Sequence, residues 1–255
     1  MIEERVAYGD HPLQQVLLCL PEDGAEGARL VVMFPGGGWR SGDPDRFRFF
    51  AEPLVGHGLP VALVGYRAVP EHVFPAQRDD ALDGFAAALA AGAERGLRPD
   101  GAVLGGQSAG AHLAALVAYD RGAREERGIG EEAIGGLLSI SGPLDLRVRG
   151  GRELDNLVSD LVGHGPPWDE ADPARFVRGD ELWPVLCLHG GRDPLVPLGS
   201  AAAFVARFEE SSPGLARLLV EPEAEHSSLL TMLAQGTTPL AGTMLEWIEA
   251  LSDVS

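Results

Sequence analysis

The chain has 255 residues, 45% of them hydrophobic and 23% charged, which are the proportions of a globular protein long enough to bury a sizeable core. Its net charge of −18 repels phosphate backbones and argues against nucleic acid as a partner. No apolar run approaches the ~20 residues of a membrane-spanning helix, and with no lysine in the chain, Schiff-base and P-loop lysine chemistry are excluded.

Taken in chain order, short apolar runs alternate with alanine-rich stretches. Arg5–Tyr8 and Leu13–Leu20 read as two strands of a meander, and Leu30–Phe34 as a buried strand. Asp43–Gly56 has helical spacing, with Phe47, Phe50 and Leu54 on one side. Pro60–Tyr66 is a strand, and Pro75 to about Ala93 a helix stopped by Gly96 and Pro99. Ala102–Gly106 is a strand feeding directly into a helix over Ser108–Tyr119. Ile134–Ile140, Pro184–Leu188 and Leu215–Glu221 are further strands; Leu198–Phe208 and Pro239–Leu251 are helices. About eight strands mostly separated by helices imply a largely parallel sheet covered on both faces, with the first strands as an antiparallel edge. Residues 1–255 read as a single domain. The stretch from Gly142 to Trp183 has no strand; an amphipathic helix over Arg152–Val162, a loop at His164–Trp168 and a helical start at Asp172–Phe176 make 147–183 a candidate lid or specificity wall.

Four clusters carry chemistry. Gly106-Gln107-Ser108-Ala109-Gly110 follows a strand and opens a helix, the setting in which a serine hydroxyl is lifted above a sheet at the positive end of a helix. Pro35-Gly36-Gly37-Gly38-Trp39 follows another strand; its backbone N–H groups can approach a developing oxyanion, so Gly37 and Gly38, with the Ala109 N–H, are the candidate oxyanion hole. A phosphate-cradling reading of that loop lacks the lysine and the glycine spacing it needs. Two aspartates follow strands and could orient a histidine: Asp193, in His189-Gly190-Gly191-Arg192-Asp193-Pro194, and Asp145. His226 lies in Glu223-Ala224-Glu225-His226-Ser227-Ser228 after the last strand, completing a serine–acid–histidine order that His189, preceding the acid, does not fit. His112, one turn past Ser108, is expected to pack. Trp39, Phe74 and Trp168 are candidate walls of a substrate pocket. No metal-ligand spacing is present, and no cofactor is expected. Cys19 and Cys187 sit in apolar runs and are expected to be free and buried.

These pieces together resemble the hormone-sensitive-lipase-like branch of the α/β-hydrolases, from about Leu30 to Trp247. Gly65-Tyr66-Arg67, Pro70-Glu71, Phe74-Pro75-Ala76 and Asp80-Ala81 match the family's stretch between its first two motifs, and Asp193-Pro194-Leu195-Val196 matches its acid loop, which selects Asp193 over Asp145. The resemblance implies an α/β-hydrolase fold with a short lid insertion and a Ser108–His226–Asp193 triad hydrolysing small carboxylic esters through an acyl-enzyme. Arylformamidases, which cleave amides on the same triad, are neighbours in this branch, and receptors that bind ligands without catalysis use the same fold. Two departures stand out: Pro35 occupies the place of the family's histidine before the three glycines, and the long N-terminal cap is missing. The expected partner is a small-molecule ester or amide, with no nucleic acid and no membrane span; a homodimer through an edge strand or closing helix is open. The N-terminal Met-Ile-Glu-Glu-Arg lacks the pattern of a secretory signal, so the expected location is cytoplasmic.

Overall fold

The computed structural model describes residues 1–164, 168–209 and 212–252. Eight strands form one sheet: β1 (Ile2–Ala7), β2 (Gln15–Leu20), β3 (Arg29–Phe34), β4 (Val61–Val64), β5 (Arg98–Gln107), β6 (Ile134–Ile140), β7 (Val185–Gly190) and β8 (Ala216–Glu221). Their spatial order is β1-β2-β4-β3-β5-β6-β7-β8. β1 and β2 pair antiparallel, as do β2 and β4, and every later pairing is parallel. The α/β-hydrolase fold expected from the sequence is therefore present, antiparallel edge included.

Among the described residues, eight helices accompany the strands: α1 (Arg48–Gly56), α2 (Ala76–Glu94), α3 (Ala109–Tyr119), α4 (Arg121–Glu125), α5 (Arg152–Val162), α6 (Leu198–Glu209), α7 (His226–Gln235) and α8 (Pro239–Ser252). Strand residues point alternately to opposite faces, so the sheet divides the core in two. Val32 and Phe34 of β3 pack with α2, α3 and α6 through Phe85, Leu113 and Phe204. Val31 and Met33 pack on the other face with α1, α7 and α8 through Phe50, Leu229 and Ile248. With both faces covered, the central strands are continuous apolar runs rather than alternating ones. Cys187 belongs to the first cluster and Cys19 to the second; both are free and buried.

Element boundaries differ from the sequence reading in two informative places. The helix expected over Asp43–Gly56 is broken: Pro44–Phe47 is a 3₁₀ turn, capped by the Asp43 carboxylate accepting from the Asp45 N–H, and α1 begins at Arg48. α7 has no counterpart in the sequence reading, which treats residues 223–228 as a loop leading to the closing helix. Its signals were local: a capping box between Glu225 and Ser228, Leu229, Leu230 and Leu233 buried on one side, and Gly236 left-handed at the C-terminus. Within the strandless stretch, α5 forms as expected and short 3₁₀ turns occupy Trp168–Ala171 and Pro173–Arg175; residues 165–167 of the expected loop lie outside the described residues.

The topology fixes where a site can be. β3 and β5 are neighbours, but the chain leaves β3 toward β4 on one side and leaves β5 toward β6 on the other. The connections diverge from the carboxyl ends of these two strands, opening the crevice in which open α/β sheets bind ligands.

Candidate functional site

Ser108 is the hinge between β5 and α3, with φ 54° and ψ −121°, a conformation that L-residues rarely adopt. Its N–H is held by the Ile140 carbonyl of β6 at 2.8 Å. The flanking glycines answer a steric demand. A Cβ on Gly106 would strike the Gly110 backbone, and one on Gly110 would strike the Phe34 carbonyl of β3. Without side chains there, α3 starts close against the sheet and the Ser108 hydroxyl stands beside the crevice.

The Ser108 Oγ–H donates to His226 Nε2 at 2.9 Å, and His226 Nδ1–H donates to Asp193 Oδ2 at 2.7 Å. The carboxylate, which can only accept, places the imidazole proton on Nδ1. His226 occupies the first turn of α7, so the capping box that starts the helix also orients the ring. The loops after β7 and β8 are laced together, Gly191 N–H to the Glu221 carbonyl at 2.8 Å and Arg192 N–H to the Ala224 carbonyl at 3.0 Å. That lacing brings Asp193 to a histidine 33 residues away.

Asp193 is itself fixed. Its Oδ1 accepts from the Leu195 and Val196 N–H groups, each at 2.9 Å; Pro194 supplies no N–H, so the carboxylate turns to the next two. Burial alone would push this carboxyl up; His226 and the two backbone donors outweigh it and hold the group below the ordinary carboxylate range. His189 braces the same loop, donating from Nε2 to the Val196 carbonyl at 2.9 Å with Asp193 Oδ2 at 3.5 Å. Burial pushes its basicity down, which keeps it neutral beneath the acid. Asp145 is not part of this relay; it pairs with Arg147 and Arg207.

The glycine loop after β3 lies opposite. Gly36, Gly37 and Gly38 line one cavity with Ser108 and His226. Gly37 and Gly38 have φ of 138° and 60°, where a side chain is strained, and a Cβ on Gly38 would stand 2.9 Å from Leu157 of α5. Ala109 opens α3, so its N–H belongs to the first turn, where no intrahelical acceptor exists. Tyr66, which the sequence offered only through its family motif, holds this loop: its hydroxyl donates to the Pro35 carbonyl at 2.8 Å, with the Ser41 carbonyl at 3.1 Å. Pro35, standing where the family has histidine, is thus engaged through its carbonyl. The next residue, Arg67, is locked by the fully buried Asp80.

The pocket walls differ from the expectation. Trp39 and Phe74 are each 1% exposed and belong to the core, and Trp168 packs under Arg149, 5.8 Å from its guanidinium, away from the cavity lining. Trp39 turns inward because its indole N–H donates to His112 Nδ1 at 3.3 Å. His112 in turn donates from Nε2 to the Ala171 carbonyl at 2.6 Å, and burial lowers its pKa to about 4. This neutral histidine joins the glycine loop, α3 and the strandless stretch. The cavity, of about 390 Å³, is walled by Phe47, Phe49, Leu157, Leu195 and Leu230, with Arg40, Arg46, Gln107 and Ser227 as polar members. Gln107 Nε2 lies 3.3 Å from His226 Nε2, a second polar neighbour of the ring that its motif does not single out. The walls escaped notice because they come from α1, its preceding turn, α5, the acid loop and α7, segments that meet only in space. Among the described residues, no group of three His, Cys, Asp or Glu could hold a metal ion.

The BD-FAE family profile matches residues 17–208. A probable isoprenylcysteine alpha-carbonyl methylesterase of Oryza sativa subsp. japonica is 31% identical over 235 residues, 85% of this chain and 56% of the relative. Esterase LipC of Mycobacterium tuberculosis is 27% identical over 237 residues, 87% of this chain and 59% of the relative. The chain thus spans little more than half the length of these curated relatives. Among solved structures, esterase B from Lactobacillus Rhamnosis superposes with a TM-score of 0.82 at 21% identity, covering 98% of this chain and 86% of the other. No helix among the described residues is long and apolar enough to cross a membrane. The profile match covers most of the chain and the sheet carries the expected topology: the chain belongs to the BD-FAE family and has the α/β-hydrolase fold.

Proposed function

We propose that the chain is a carboxylic ester hydrolase acting through Ser108, His226 and Asp193. The observation that carries this reading is the continuous relay from the Ser108 hydroxyl through His226 to Asp193, with Ser108 and His226 lining a cavity. Ser108 Oγ attacks the acyl carbonyl while His226 Nε2 takes its proton. The oxyanion that forms is met by the N–H groups of Gly37, Gly38 and Ala109, each such donor contributing ~3–4 kcal/mol of barrier lowering. His226 returns the proton to the departing alcohol, leaving an acyl-Ser108; water, deprotonated by the same nitrogen, then releases the acid. Asp193 keeps the proton on Nδ1 and stabilises the imidazolium between these transfers.

The esterase names of the relatives and structural neighbours support the reaction class. The cavity walls suit a small molecule with an apolar portion, and the 147–183 stretch takes part as a specificity wall, since α5 contributes Leu157 directly against Gly38. The test is intact-mass analysis after incubation with an activated fluorophosphonate. A single adduct on wild type that is absent from Ser108→Ala is the expected result; no adduct on folded wild type overturns the mechanism.

A further inference from the structure

The chain carries 38 acidic residues, yet the cavity beside Ser108 is lined by no aspartate or glutamate. Its charged members are Arg40 and Arg46, together with the titratable His226. Arg40 is neutralised by Asp160 of α5. Arg46 is not: its polar partner is the Ser41 hydroxyl, at 3.0 Å, and among the described residues it makes no ion pair. In a chain where most arginines are matched with carboxylates, one bare guanidinium therefore faces the cavity. It stands close to the glycine loop, since Ser41 Cβ lies 3.0 Å from where a Gly37 side chain would begin. The same cavity is lined by the apolar side chains of Phe47, Phe49, Leu195 and Leu230.

We propose that this cavity selects esters bearing a carboxylate in addition to the scissile bond, and that Arg46 is the residue that binds it. The inference rests on Ser108 being the nucleophile and adds to it the class of substrate. A guanidinium presents a planar donor fork that matches a carboxylate bidentately, and although Arg46 is exposed, the cavity wall it belongs to holds no carboxylate to compete with a substrate anion. The overall charge of −18 would repel such a substrate from most of the surface, which leaves the cavity mouth as its point of approach. Because the contact exists before and during the reaction, it acts on KM rather than kcat.

Two matched pairs of esters test this. One pair places the carboxylate on the acyl side, p-nitrophenyl hemiglutarate against p-nitrophenyl valerate; the other places it on the leaving group, 4-acetoxybenzoate against phenyl acetate. The readout is the ratio of kcat/KM for the charged ester to that for the neutral one. Arg46→Gln is expected to lower that ratio about tenfold in one pair, through KM, with Arg46→Lys recovering part of it and added salt shrinking the effect. The pair that responds tells on which side of the scissile bond the anion sits. Arg95→Gln, which changes net charge equally at a surface pair with Glu4, is expected to leave both ratios unchanged. Ratios unmoved by Arg46→Gln in both pairs overturn the inference, and an equal loss on charged and neutral esters would assign Arg46 to the general field of the site instead. The underlying reading fails separately: Ser108→Ala would then still turn over the neutral esters. Calorimetry on Ser108→Ala with and without Arg46→Gln reads binding of the charged ester with no turnover required, and equal affinities there also overturn the inference.

Discussion

Two adjacent parallel strands, β6 and β7, each deliver an aspartate a few residues past their carboxyl ends, and the two carboxylates are almost equally buried, at 2% and 1% exposure. Both are held below the ordinary carboxylate range against a burial penalty that would raise them. What differs is the partner. Asp145 is met by Arg147 and Arg207, permanent cations that leave it nothing to do but hold the β6 loop to the start of α6, where Ser200 hydrogen-bonds its backbone. Asp193 is met by backbone N–H groups and by a histidine, a base that changes charge during a reaction. Depth and strand position are shared; the chemistry of the opposing group separates a structural carboxylate from a candidate catalytic one.

The largest expected effect falls on the second. Asp193→Asn keeps the shape of the side chain but lets the histidine proton shift to the wrong nitrogen, and kcat should fall by roughly 10³–10⁴ with the fold retained. Parallel measurement of kcat and of thermal unfolding checks this; a loss of folding in place of activity would erase the distinction between the two aspartates. A comparable contrast exists between the histidines. His112, with its pKa lowered to about 4 by burial, is neutral in the fold yet takes up a proton in the unfolded chain below about 6.5. The unfolded state therefore binds more protons between those values, and stability falls as pH drops from 6.5 to 4, by about 3 kcal/mol from this residue. Urea midpoints across that window should slope in wild type and flatten in His112→Gln.

Asp145→Asn is expected to act in the opposite sense to Asp193→Asn. It should cost about 1–3 kcal/mol of stability, moderated because Arg147 and Arg207 remain partly in water, while kcat/KM stays within a few-fold. A large kinetic effect from this substitution would make the β6 aspartate part of the machinery. The smallest effect is expected at Trp168, which packs against the core and Arg149 away from the cavity. Trp168→Ala should change kcat/KM by no more than about twofold, whereas Phe49→Ala, on the cavity wall, should shift KM several-fold.

Residues 106–110 and the loop 35–39 were legible in the sequence because their chemistry is local. A serine between two glycines at a strand–helix junction, and three glycines after a strand, have few other uses, and the glycines are required by backbone approaches within a few residues or to the neighbouring strand. The alternation of apolar runs and alanine-rich helices likewise dictated a covered parallel sheet, since only that arrangement buries strands apolar on both faces. The choice between Asp193 and Asp145 was not local. Both follow strands; the family's acid-loop motif favours Asp193, and the physical reason, the lacing of the β7 and β8 loops and the arginines gathered around Asp145, exists only in the fold. The pocket walls were decided the same way. Large aromatics such as Trp39 and Phe74 look like binding residues in a sequence, but a buried hydrogen bond or a core position claims them first, and the cavity is lined by what is left where segments distant in sequence meet. The sequence by itself determined the fold and the kind of chemistry it can mount, through period and glycine placement; tertiary structure decided partners, walls and which arginine of the cavity lacks a carboxylate, because those depend on which distant groups neutralise or cover one another.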